Sequence, residues 1–178
     1  MDRRPHRIET ARLLLTRPTA DDAQAIFDRY SGDPEVTRYL AWPTHRSVDD
    51  TRAFIDFSDA EWDRSPAGPF LILSKDDERL LGATGLSFDG DGAATTGYVL
   101  AKDAWGRGYA TEALLAMVDL ARSLGLPALG AFCHPDHAPS IRVLEKGGFA
   151  RERSTVMHQF PNLTPAATVE LARYVRHL

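Results

Sequence analysis

Apolar residues along the chain alternate between two spacings, and the changeovers mark the elements. "ARLLLTRP", Ala11 to Pro18, is a short apolar run with turn chemistry behind it and predicts a first strand. In "TADDAQAIFDRYSGDP" the spacing becomes helical. Ala23, Ile26, Phe27 and Tyr30 share a side, Thr19 or Asp21 can cap, and Ser-Gly-Asp-Pro stops the run. A second helix is predicted from near Ser47, where "SVDD" offers a cap and early acidic residues against the dipole. Phe54, Ile55 and Phe57 give it an apolar side, and "DRSPAGP" ends it.

Beyond Pro69 the pattern turns to strands. "FLILSK" (Phe70 to Lys75) and "LLGATGLSF" (Leu80 to Phe88) flank the turn "DDER", and "GDGA" leads into "ATTGYVLA" (Ala94 to Ala101). Helical spacing returns from about Gly108 to Leu124, with Ala110, Ala113, Leu114, Met117, Ala121 and Leu124 as the stripe and Gly125 as the stop. "PALGAFCH" (Pro127 to His134) predicts a strand and "APSIRVLEKGG" (Ala138 to Gly148) a short helix. "FARERSTVMHQF" and "TVELARYVRH" predict a final antiparallel pair around "PNLTP". The order predicts one α+β domain over residues 1–178 with a mostly antiparallel sheet, residues 1–7 being frayed.

Composition narrows the function. The 178 residues suit one domain with a sizeable core. A net charge of −4 argues against a nucleic-acid partner held through phosphates. No apolar run approaches the ~20 residues that span a bilayer, and the charged N-terminal stretch lacks signal-peptide features. The lone cysteine, Cys133, permits no internal disulfide, so a cytoplasmic location is expected.

The helix at Gly108 opens with "WGRGYATEA", a glycine-bracketed arginine in place of a capping side chain. The first amides of a helix lack internal partners and carry its positive dipole end, so bare backbone there is either a plain strand-to-helix turn or an anion site. The spacing is not that of a P-loop, and Thr111 stands where a dinucleotide fingerprint needs its third glycine.

Together, "GYVLAKDAWGRGYATEALLAMVDLARSLGL" and the downstream "AFCHPDHAPSIRVLEKGGF" resemble the GNAT acetyltransferase superfamily, in particular its RimJ/RimL-like branch of ribosomal-protein N-acetyltransferases. With "IETARLLLTRPTADDAQAIF" the resemblance covers nearly the whole chain. It implies a GNAT-like sheet of about seven strands, splayed between the fourth and fifth and flanked by about four helices. It also implies acetyl-CoA as co-substrate and a primary amine as acceptor, either a peptide N-terminus or a small molecule. The family's pyrophosphate loop falls on Trp105, Gly106, Arg107, Gly108, Tyr109 and Ala110, with Thr111 following. Trp105 stands where many relatives have Gln or Arg. His137 replaces the asparagine that contacts the cofactor arm, and Ser140 matches the position that stabilises or protonates the departing thiolate. Arg142 and Lys146, four apart, either face the cofactor phosphates or are solvated.

The chemistry is attack of a neutral amine on a thioester, which needs an oxyanion donor and a proton for sulfur. An amide among Tyr98, Val99 and Leu100 is the donor candidate. Ser140 either serves the thiolate or caps its helix. No glutamate precedes the glycine turn to act as base, which leans toward an α-amine or another weakly basic acceptor. His134 is a catalytic candidate or a hydrogen-bonded structural histidine. Cys133, His134, Asp136 and His137 lack the spacing of a metal site, and no metal is expected. Cys133 has no evident activating partner as a nucleophile. Trp42, His45 and Arg46 from one loop, and Phe160 from "HQFPNLTP", are the acceptor-binding candidates. A catalytically silent acyl-CoA sensor would keep the glycine turn too, and pairing of two copies through the seventh strand is a possible homodimer.

Overall fold

The computed structural model describes residues 7–90, 92–163 and 168–178. The predicted frayed end up to residue 6, Asp91 of the "GDGA" turn, and Thr164 and Pro165 of the predicted acceptor loop lie outside these.

Eight strands form the main sheet: β1 Arg7–Glu9, β2 Leu13–Thr16, β3 Pro69–Ser74, β4 Leu80–Phe88, β5 Ala94–Leu100, β6 Ala128–Cys133, β7 Ala150–Glu152 and β10 Ala172–His177. Their order is β1-β2-β3-β4-β5-β6-β10-β7. A separate ribbon pairs β8, Met157–Gln159, with β9, Thr168–Glu170. Every pairing is antiparallel except β5 with β6, which are parallel and registered only at Thr95 opposite Gly130. That is the expected splay, between the fourth and fifth strands counted from the "ARLLLTRP" run.

Alternation along β3 sets the two faces. Phe70 and Ile72 join the larger core, while Leu71 joins a second one. The larger core takes α4, Tyr109–Ser123, through Ala113, Leu114, Met117 and Ala121, and α5, Ala138–Lys146, through Leu144. The second packs Ala23, Ile26 and Tyr30, with Ile55 of α3, Val48–Arg64, against Leu71, Leu80 and Ala83. The indole N–H of Trp62, near the end of α3, donates to the Pro69 carbonyl at 2.9 Å, and its ring meets Phe70 edge-on.

Several predicted boundaries change. Arg7, expected to be frayed, opens β1, and the first apolar run narrows to β2. The predicted first helix is composite: a 3-10 turn Ala20–Asp22, α1 Ala23–Ile26, a π turn Phe27–Ser31, then α2 Pro34–Thr37 capped by Asp33. The final predicted antiparallel pair forms but is interrupted into two short pairs, β7 with β10 in the main sheet and β8 with β9 beside it, and β10 lies between β6 and β7. The seventh predicted strand is therefore paired on both sides over Arg173–Val175 and offers no open edge there for a second copy. No helix of the described residues is long and apolar enough to cross a membrane.

Candidate functional site

The splay opens one cavity of about 710 Å³. Thr96, Gly97, Tyr98 and Val99 of β5 form one wall, Ala131 to Cys133 of β6 with His137 and Ser140 another, and Tyr39, Trp42, His45, Phe54 and Phe160 a third. Asp50 is the one Asp, Glu, Lys or Arg side chain among the lining residues.

The parting of β5 from β6 exposes backbone. Ala101 N–H donates to Leu81 C=O at 2.8 Å, so by the two-residue alternation of an antiparallel ladder Val99 also faces β4. Tyr98 and Leu100 direct their amides to the other edge, where β6 has diverged. Of the three predicted oxyanion donors, Val99 is engaged, while Tyr98 and Leu100 have no acceptor among the described residues; Tyr98 lines the cavity and Leu100, which is buried, does not. The Leu100 carbonyl on that edge accepts from the Trp105 indole at 2.8 Å. Trp105 thus fixes the strand end, with its ring 44% exposed.

The glycine turn follows. Gly106 and Gly108 have φ of 73° and 79°, a region that strains side-chain-bearing residues. Gly108 is the N-cap of α4 and supplies no capping side chain; the first helical bond is Glu112 N–H to Gly108 C=O at 3.1 Å. Amides from Gly106 to Thr111, including those of Arg107, Tyr109 and Ala110, therefore have no acceptor among the described residues. A Cβ built on Gly106 would meet nothing within 4 Å. Open amides at a helix N-terminus, with room above them, fit a pyrophosphate.

Two residues missed in the sequence hold this turn. Glu112 accepts from the Thr10 hydroxyl (2.6 Å), the Arg12 amide (2.8 Å) and Arg12 Nε (2.7 Å). Arg12 Nη1 donates to the Arg107 carbonyl at 2.9 Å, and its guanidinium lies over the Tyr109 ring. Arg12 and Glu112 are 100 residues apart, so no local pattern joins them. Burial alone would raise the Glu112 carboxyl, but these donors outweigh it and hold it below its usual range.

Trp105 to Thr111 are not among the residues lining the cavity; within it, Tyr98 Oη donates to the Ser140 carbonyl and also lies 3.0 Å from Ser140 Oγ. Ser140 is three residues past the His137 N-cap, and its hydroxyl is engaged with Tyr98 without capping α5. Burial raises the Tyr98 hydroxyl above its ordinary range and pushes the Cys133 thiol up to about 11, so both stay protonated at neutral pH. His137 lines the cavity and stacks on Tyr39, and burial lowers its pKa. His134 does not line the cavity. It is 5% exposed, and its Nδ1 accepts from the Asp136 amide, so the neutral ring carries its proton on Nε2 and has no free lone pair for a base. Arg142 and Lys146 are exposed on α5. Among the described residues, no group of three His, Cys, Asp or Glu side chains could hold a metal ion.

On the acceptor side, Trp42, His45 and Phe160 line the cavity. Arg46 does not: its amide donates to Asp50 Oδ2 at 2.7 Å at the start of α3, and its side chain is exposed. Asn162, also missed in the sequence, clasps the two acceptor segments. Its Oδ1 accepts from the Thr44 amide and hydroxyl, and its Nδ2 donates to the carbonyls of Thr37 and Trp42 at 2.7 and 2.9 Å. All four hydrogen-bonding positions of the amide are used.

Comparison with known proteins bears on this geometry. The acetyltransferase (GNAT) domain family matches residues 12–150. The N-acetyltransferase YoaA of Bacillus subtilis is 32% identical over 164 residues, covering 90% of this chain and 92% of YoaA. The microcin C7 self-immunity acetyltransferase MccE, solved with acetyl-CoA and AMP, superposes with a TM-score of 0.83 at 18% identity over 99% of both chains. RimL, a ribosomal L7/L12 α-N-protein acetyltransferase solved with coenzyme A, gives 0.81 at 20% identity over 97% of this chain and 98% of its own. The domain match spans the splay, the glycine turn and α5, and a relative above 30% identity extends over most of the chain; the protein belongs to the GNAT family of N-acetyltransferases.

Proposed function

We propose that the chain, acting as one domain, moves acetyl from acetyl-CoA to a primary amine by direct attack, without an acyl-enzyme. The observation that carries this reading is one continuous cavity, which runs from the aromatic acceptor wall through the strand splay to Ser140. Both substrates can meet in it. The likeness to RimL favours a protein N-terminal α-amine as acceptor, and a small amine fits the same walls.

Acetyl-CoA supplies the activated acyl group. The open amides from Gly106 to Thr111 would hold its pyrophosphate, with Arg107 and Arg12 adding positive charge. Tyr98 N–H and Leu100 N–H face the gap where a carbonyl oxygen gains charge, and donors fixed there favour the transition state over the ground state. With the Tyr98 proton on the Ser140 carbonyl, the Ser140 O–H donates to Tyr98 Oη and would turn from there to a departing sulfur. A protonated, buried Cys133 is a poor nucleophile, in keeping with direct transfer.

The test is thiol release from acetyl-CoA with three acceptors: a peptide with a free N-terminus, an N-terminally blocked lysine peptide, and a small diamine. Turnover is expected with the first, and Ser140→Ala should lower kcat by about 10–100-fold with little change in acetyl-CoA affinity. No amine raising thiol release above background would contradict the reading.

A further inference from the structure

His45 is the cavity residue whose surroundings most resemble those of a base. Its amide donates to the Ser31 carbonyl at 2.9 Å, which fixes its backbone to the π turn. Its Nδ1 lies 2.8 Å from Thr51 Oγ1, and Thr51 Oγ1 lies 3.2 Å from Ser31 Oγ. Thr51 and Ser31 are buried, and Trp42 stands against the ring at 5.2 Å between centroids. The ring is thereby held at one nitrogen, while Nε2 has no hydrogen-bond partner among the described residues. A hydroxyl partner can accept as well as donate. The chain Nδ1–H to Thr51 Oγ1–H to Ser31 Oγ then leaves the Nε2 lone pair open to the cavity. His134 differs on this point, since its Nδ1 faces an amide that can only donate.

We propose that His45 Nε2 takes the proton from the acceptor ammonium, with Thr51 as its positioning residue, and that the acceptor is therefore an α-amine in preference to a lysine side chain. The inference rests on the transfer reaction proposed above. The proton passes from the ammonium nitrogen to Nε2, and the neutral amine forms the N–C bond as the C–S bond breaks. The sulfur leaves as a thiolate that takes its proton from Ser140 or solvent. The imidazolium and the amide nitrogen each release one proton to solvent, and Ser140, where it was the donor, regains a proton from solvent.

The neighbouring charges suit this role. Burial lowers the His45 pKa, partly opposed by Asp50, so the ring is unprotonated at neutral pH. Asp50, whose carboxylate caps the start of α3, attracts a cationic acceptor toward the same wall. Arg46 lies exposed on the same loop, and Tyr30, Tyr39, Tyr98, Cys133, His137 and His158 are the other titratable side chains lining the cavity. A base with a lowered pKa is poorly matched to lysine at ~10.4 and better matched to an α-amine at ~7.7–8.0.

The experiment is kcat/KM against pH for the full chain with acetyl-CoA and a free-N-terminus peptide. His45→Gln should lower kcat/KM about 100-fold or more at pH 6.5. The deficit should shrink to about fivefold or less at pH 9, where the amine is already neutral, with acetyl-CoA binding unchanged. Thr51→Val should show a smaller deficit that shrinks in the same way, and it serves if the first variant does not fold. A deficit of equal size at both pH values, or a rate within threefold of wild type at pH 6.5, would overturn the role of His45 and leave the reaction standing. Absence of transfer by the wild type with every amine would overturn the reaction and this inference together.

Discussion

Glu112 shows how one residue can tie a distant segment of the chain to the glycine turn. Its side chain is 17% exposed, and its oxygens gather Thr10, the Arg12 backbone and the Arg12 guanidinium. Because its folded pKa is depressed, its stabilising contribution is complete above about pH 4.5, the ordinary glutamate value, and fades as pH falls toward the folded one. Glu112→Gln should cost about 2 kcal/mol at pH 7 and flatten the acid side of the stability curve, read by urea unfolding at pH 3.5 to 7. A variant with the parent's pH dependence would remove this residue from the account. The contrast with Ser140 explains what the sequence could tell. Ser140 and the Gly106–Gly108 turn lie within short motifs whose chemistry is local, and both are legible. Arg12 and Asn162 act across about 100 residues or more, and the Thr51–Ser31 support of His45, though nearer in the chain, follows no recognisable spacing; none has a sequence signature. His134 looked suitable by residue type, but it does not line the cavity and its Nδ1 accepts from the Asp136 amide, neither of which its place in the sequence shows.

At the scale of elements, local rules located the helices with caps and stops better than the strands that pair at a distance. The stripe from Ala110 to Leu124 predicted α4 to within a residue at each end, since glycine stands at both. The region from Ala20 to Ser31 has helical spacing but takes three kinds of turn in succession, and no spacing rule separates them. Insertion of β10 between β6 and β7 is likewise a tertiary choice. The acceptor wall depends on such a long-range union. Asn162 joins the segment after β8 to the loop ahead of α3, so Asn162→Ala should loosen both. The expected result is a rise in acceptor KM of about tenfold or more, with the acetyl-CoA affinity within twofold of wild type. Steady-state kinetics with each substrate varied in turn would show it, and an unchanged acceptor KM would mean that the clasp is structural only.

At the scale of the molecule, two cores clamp the sheet and leave a large gap where β5 and β6 part. The central claim is that acetyl-CoA enters this gap with its pyrophosphate on the glycine turn. Gly97 is the place to test it: it lines the cavity, and a Cβ built there would meet nothing within 4 Å, so a side chain can fill the gap without displacing the fold. The measurement is thermal unfolding of wild type and Gly97→Phe, each with and without acetyl-CoA. At ~100 times its dissociation constant the ligand adds about 2.7 kcal/mol to stability. For a chain of this length that is a rise of about 5–10 °C. The account predicts this rise in the wild type and its loss in a Gly97→Phe protein that still unfolds cooperatively. No rise in the wild type at millimolar acetyl-CoA, or an equal rise in both proteins, would contradict it.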